Sequence, residues 1–165
     1  MIAFKAFVEI PIGSGVKYEV DESTGDLTVD RFLYTAFRYP FNYGYIKGTL
    51  GGDGDALDVV ILSSESVVPG VVMPCHPIGV LETEDENGVD AKIIAVPMSN
   101  VDPINGVYQN LKDVPPPILA EIKHFYENYK TIEPGKWVKV KDFKSAEEAE
   151  KEIRAAQKKL ASHQA

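Results

Sequence analysis

Over its first two thirds the chain never sustains a helical period. Apolar residues recur at every second position in short runs closed by turn formers, which confines this part to short strands. The first run, 2–10, ends at Pro11 and the Gly13-Ser14-Gly15 turn. In Val16-Lys17-Tyr18-Glu19-Val20 the apolar side chains face one way and Lys17 and Glu19 the other. Ser23-Thr24-Gly25-Asp26 then turns the chain into a strand over 27–32 that carries Arg31, and further strands are expected at 43–46, 58–62, 78–81 and 92–96. Between the last two, Asn87-Gly88 is a strong hairpin-turn signal.

The last third follows a different rhythm. Pro116-Pro117 can open a helix in which Ile118, Ile122, Phe125 and Tyr129 share one face. Residues 137–143 alternate as one more strand. Ser145 and Glu148 form a capping box ahead of the stripe Ala149, Ile153, Ala156 and Leu160. Many short strands with two helices predict a mainly β, α+β chain, a small closed barrel with helices packed outside. No repeat, low-complexity tract or linker divides it, so 1–165 reads as a single domain.

A net charge of −8 argues against a general nucleic-acid binder, whose contact surface should be basic. It leaves room for an anionic substrate wherever cations or a basic cluster reverse the local field. Lys5 and Glu9 interrupt the N-terminal apolar residues, so no signal peptide is expected, and no uninterrupted apolar span is long enough to cross a membrane. The solitary Cys75 fits a reducing compartment, and the expectation is a soluble, cytoplasmic protein. His76, His124 and His163 lack metal-ligand spacing and Cys75 lacks a partner pattern, so none is assigned a role.

The chemistry concentrates in Asp53-Gly54-Asp55-Ala56-Leu57-Asp58, where three carboxylates fall within six residues. Crowded carboxylates repel one another unless a cation neutralises them, and an all-oxygen group suits a hard ion such as Mg²⁺. An EF-hand is excluded, because the twelfth position from Asp53 is Ser64 and a strand follows the run. A second acidic group, Asp85-Glu86 with Asp90, surrounds the Asn87-Gly88 turn, and Lys92 leaves the same strand face as Asp90. Taken singly, each piece has a plain alternative. The acidic runs can be solvated turns, Lys17 with Glu19 an ordinary surface pair, and Tyr39, Tyr43 and Tyr45 core aromatics. No Gly-x-x-x-x-Gly-Lys-Ser/Thr sequence is present, which disfavours a Walker-type nucleotidase.

Taken together, the pieces resemble one family. Val8-Glu9-Ile10-Pro11, Lys17-Tyr18-Glu19-Val20-Asp21, Val29-Asp30-Arg31-Phe32, the stretch from Tyr39-Pro40 to Tyr45 and the Asp53–Asp58 run match, in order, the soluble family I inorganic pyrophosphatases. So do Asp85-Glu86, Gly88, Asp90-Ala91-Lys92, the segment from His124 to Lys130, and Gly135-Lys136-Trp137-Val138. The resemblance implies a five-stranded barrel of the oligonucleotide-binding (OB) type and Mg²⁺-dependent hydrolysis of pyrophosphate to two orthophosphates, with Mn²⁺ or Zn²⁺ as substitutes. It also implies a homo-oligomer, a hexamer among prokaryotic members. By the same resemblance Asp53, Asp58 and Asp90 would hold the first cation, with Asp58 shared by a second. Asp55 would be the general base, and Asp85, Asp90 and Glu19 would hold cations arriving with substrate. Lys17, Arg31, Lys92, Tyr129 and Lys130 would grip phosphate oxygens and Tyr43 would orient water. Glu9, Tyr39 and Glu86 would stand behind these or at the rim. One departure is plain: Ala56 stands where the family usually has Pro, which loosens the backbone just past the expected base.

Overall fold

The computed structural model describes residues 1–164. In chain order its elements are β1 (Phe4–Ile10), β2 (Val16–Val20), β3 (Leu27–Phe32), β4 (Asn42–Ile46), β5 (Asp58–Ile61), β6 (Val72–Asp85), β7 (Gly88–Pro97), α1 (Pro116–Asn128), β8 (Val138–Lys144) and α2 (Ala146–Gln164). Five strands close on themselves in the order β1-β4-β5-β7-β6 and back to β1, with β8 added outside β6. Every neighbouring pair in the ring is antiparallel except β5 and β7. The expected mainly β barrel with two helices is therefore present. The β2–β3 hairpin stands apart as a separate two-stranded sheet.

Strands of the ring are apolar on both faces, and alternate side chains serve different helices. Val59, Ile61, Ile93 and Ala95 join the cluster that takes in Ala149, Ile153 and Ala156 of α2. Their neighbours Val60, Ile94 and Val96 join the other cluster, with Ile122, Phe125 and Tyr126 of α1. Both sides of β5 and β7 are thus withdrawn from water, which favours the continuous β-branched run Val59-Val60-Ile61.

Several boundaries differ from the sequence expectation. The longest strand, β6, begins at Val72 rather than at residue 78, because Pro74 and Pro77 sit inside a strand where proline normally marks an end. A register irregularity between Pro77 and Gly79 absorbs the second proline. Tyr129 lies just past α1 as its C-cap rather than within it. Ahead of α2 only half of the expected capping box forms: the Glu148 N–H donates to Ser145 Oγ at 3.2 Å, while the Glu148 carboxylate pairs with Lys151. No helix among the described residues is long and apolar enough to cross a membrane.

Candidate active site

All of the candidate site residues expected from the sequence line one cleft of about 420 Å³. Strand register accounts for much of this. In the parallel pair, Asp58 of β5 lies opposite Lys92 of β7, and Asp90 projects from the same face of β7 two residues earlier. At the tip of the β6–β7 hairpin, Asp85 lies opposite Gly88, which brings Asp85 and Glu86 to the cleft edge. In the separate hairpin, Lys17 pairs with Arg31 across the strands. Tyr43 reaches the cleft from β4. Its neighbour Gly44 is fixed as glycine because a Cβ there would collide with the Phe7 carbonyl of β1.

The acidic loop before β5 is shaped by hydrogen bonds to its backbone groups. Gly54 takes φ +91°, a conformation that side chains disfavour. The Gly51 N–H donates to the Asp55 carbonyl at 2.6 Å, the Asp55 N–H to Asp53 Oδ1 at 3.0 Å, and the Leu57 N–H to Thr49 Oγ1 at 3.1 Å. From α2, Lys159 Nζ donates to the Gly51 carbonyl at 3.0 Å. These contacts brace the stretch that Ala56, in place of proline, leaves freer. Asp53 and Asp55 are exposed, whereas Asp58 is half-buried at the strand start.

Lys92 is the pivot of the floor. Its buried ammonium donates to Asp58 at 2.8 Å and to the Tyr43 hydroxyl at 3.1 Å, and pairs with Asp90 at 2.6 Å. Burial alone would lower its proton affinity, but Asp58, Tyr43 and Asp90 more than offset this and hold it firmly charged. Lys130, also buried, meets both Glu86 oxygens at 3.2 Å and Asp85 at 3.5 Å. Lys17 lies 3.4 Å from Asp30 and 4.0 Å from Glu19. Behind these, Tyr39 packs against Phe125 and Tyr43, and burial raises the pKa of Tyr39, Tyr43 and Tyr129.

The carboxylates carry a matching signature. Burial, opposed by the Val20 N–H bond, pushes Glu9 from 4.5 to about 7. Burial also raises Asp90 despite its contact with Lys92. Asp55 is raised by partial burial and by the nearby charges of Asp53, Glu22, Asp58 and Glu19. Nine carboxylates face five basic side chains in this cleft, and no histidine or cysteine lines it. That donor set, oxygen-only and strongly negative, fits hard divalent cations. Among the described residues no three carboxylates or histidines enclose an ion unaided, since ammonium groups lie between them.

Sequence reasoning did not single out Glu22, Tyr126 and Lys136 as cleft residues, although all three line it. It also missed Glu133, which sits beneath the cleft and pairs with Arg31. Lys136 and Tyr126 lie inside matching segments, so a reading of those segments position by position could have found them. Glu22 and Glu133 lie in turns and carry no periodic signal.

Residues 6–161 match the family model described as inorganic pyrophosphatase. A protein of that name from Nanoarchaeum equitans is 55% identical over 152 residues, covering 92% of this chain and 94% of its own. Another from Aquifex pyrophilus is 52% identical over 147 residues, covering 89% and 83%. Among solved structures, that of an inorganic pyrophosphatase from Coxiella burnetii superposes with a TM-score of 0.92 at 45% identity, covering 96% of this chain and 95% of that one.

Proposed function

The chain belongs to the inorganic pyrophosphatase family and is an enzyme that hydrolyses pyrophosphate; we propose that it does so with Mg²⁺ in the cleft described above, Asp55 acting as general base. The family implies a divalent metal, and Mn²⁺ or Zn²⁺ are candidate substitutes. What supports the reading is the convergence of the oxygen-rich carboxylate floor with Lys17, Arg31, Lys92 and Lys130 on one cleft.

Pyrophosphate hydrolysis is slow unaided because an anionic substrate repels an anionic nucleophile, so positioning and charge neutralisation carry most of the catalysis. Bound Mg²⁺ supplies charge neutralisation and makes water a nucleophile near neutral pH. Asp53, Asp58 and Asp90 would hold it first, with Asp85 and Glu19 adding oxygens when substrate enters. Asp55 takes the proton from the attacking water. An ordinary Asp, with a pKa of about 3.9, is a poor base at pH 7, so this role requires the loaded site to raise the proton affinity of Asp55. Lys17, Arg31, Lys92, Lys130 and Tyr129 bind phosphate oxygens, and Tyr43 orients the water. Glu9 and Tyr39 stand behind these groups or at the rim, and Glu86 pairs with Lys130. With Lys17, Arg31, Lys92 and Lys130 available to neutralise the leaving phosphate, no strong protein acid would be required.

We further propose one domain over 1–165, a cytoplasmic location and a homohexamer, with no nucleic-acid or membrane partner. The direct test is orthophosphate release from pyrophosphate while Mg²⁺ is titrated, with ATP as control. Release that rises with Mg²⁺ and is far slower on ATP is expected. Full release in the presence of chelator would overturn the metal assignment.

A further inference from the structure

We infer that Glu133 is a positioning residue for substrate binding: it anchors the guanidinium of Arg31 to the turn that carries Tyr129 and Lys130. This rests on the reading of Arg31 as a phosphate-binding group.

The need for such an anchor follows from the topology. Lys17 and Arg31 belong to the β2–β3 hairpin, which shares no strand pairing with the barrel. A two-stranded hairpin is marginal on its own and depends on side-chain contacts to hold its position. Tyr129 and Lys130, by contrast, follow directly from α1, whose Ile122, Phe125 and Tyr126 are embedded in the core. The two halves of the proposed phosphate grip therefore sit on differently supported parts of the molecule.

Glu133 joins them. Its Oε1 lies 2.7 Å from Arg31 Nε, and its side chain is 4% exposed. Its backbone N–H donates to the Lys130 carbonyl at 3.1 Å, and its carbonyl accepts from the Lys136 N–H at 3.2 Å, so it moves with the Lys130 turn. One other bond crosses the same gap, from Thr35 Oγ1 to the Tyr129 carbonyl at 3.1 Å.

A buried carboxylate beside a phosphate-binding arginine subtracts from the field that attracts substrate, so its contribution must lie elsewhere. Arg31 Nη1 donates to Asp30 at 2.6 Å, Nε lies 2.7 Å from Glu133 as an ion pair without an aligned hydrogen bond, and Nη2 has no hydrogen-bond partner among the described residues. Two carboxylates thus hold the guanidinium from two sides and leave its far end for an anion. Orientation is what a planar, bidentate donor requires.

The test is steady-state kinetics and orthophosphate inhibition of the Mg²⁺-loaded enzyme. Glu133→Gln should raise KM for pyrophosphate roughly 10-fold while kcat stays within about 3-fold, with orthophosphate inhibition weakened in parallel. Glu133→Asp keeps the charge but withdraws the carboxylate by one methylene, and should move KM in the same direction by about 3-fold. In an Arg31→Gln background the Glu133→Gln effect should vanish, because the residue acts through Arg31. Unchanged KM and inhibition in both Glu133 variants, or an undiminished effect in the Arg31→Gln background, would overturn the inference. Arg31→Gln alone reports separately on the underlying reading, which fails if that variant keeps its KM.

Discussion

Replacing Glu9 by Gln should make the protein more resistant to unfolding at alkaline pH and leave it nearly unchanged in acid. Glu9 projects from β1 beside the cleft, is 9% exposed, and accepts one bond, from the Val20 N–H at 3.0 Å. Burial moves its pKa from 4.5 to about 7. Between those values the folded protein retains a proton that the unfolded chain has released, so stability falls as pH rises through the interval. At about 1.4 kcal/mol per tenfold change in proton affinity, ionised Glu9 costs the fold about 3 kcal/mol well above pH 7. Most of that, roughly 2–3 kcal/mol, develops between pH 5 and pH 8. Gln keeps the shape and the acceptor for Val20 but cannot ionise. Thermal unfolding of both proteins, in chelator and at one protein concentration, should show the midpoints close at pH 5. At pH 8 the variant should lie higher by roughly 5–10 °C for a chain of this length. Parallel pH profiles for the two proteins would mean that Glu9 titrates alike in folded and unfolded chains, contrary to its burial.

Two further perturbations probe the site's construction. Asp58→Ala should require much more Mg²⁺ for half-maximal activity, at least 10-fold, because Asp58 is proposed to serve two cations; an unchanged metal titration would exclude the shared role. Gly44→Ala should lower stability by several kcal/mol, since its Cβ would meet the Phe7 carbonyl within the β1–β4 pairing and displace Tyr43. Urea unfolding measures this, and a loss below about 1 kcal/mol would contradict the packing.

How much could be read from the chain varies with the range of the interaction. Strands announced by alternation, such as Val16 to Val20, and the turn at Asn87-Gly88 were legible because the information is local. The pattern suggested a small closed barrel, but the pairings that close it were not legible. Closure depends on β5 pairing in parallel with β7 across an intervening strand, and on the N-terminal half of β6, disguised by Pro74 and Pro77, pairing with β1. The family resemblance supplied the five-stranded form that alternation alone left open. At the site, residues inside recognisable motifs could be named, and all of them line the cleft. Glu133 could not be named this way, because its partner Arg31 is about one hundred positions earlier and nothing in Thr131-Ile132-Glu133-Pro134 marks a buried charge. Nor did spacing reveal that Lys92 would stand between Asp58 and Asp90, which takes the register of two different strands.

Asp55 is proposed to remove the proton from the attacking water in the cleft that holds pyrophosphate. The decisive assay is orthophosphate release by Asp55→Asn, measured beside the unaltered protein at saturating Mg²⁺ and pyrophosphate. Turnover should fall by roughly 10²-fold or more with KM little changed and the fold intact. Near-normal turnover in that variant would show that Asp55 is not the base.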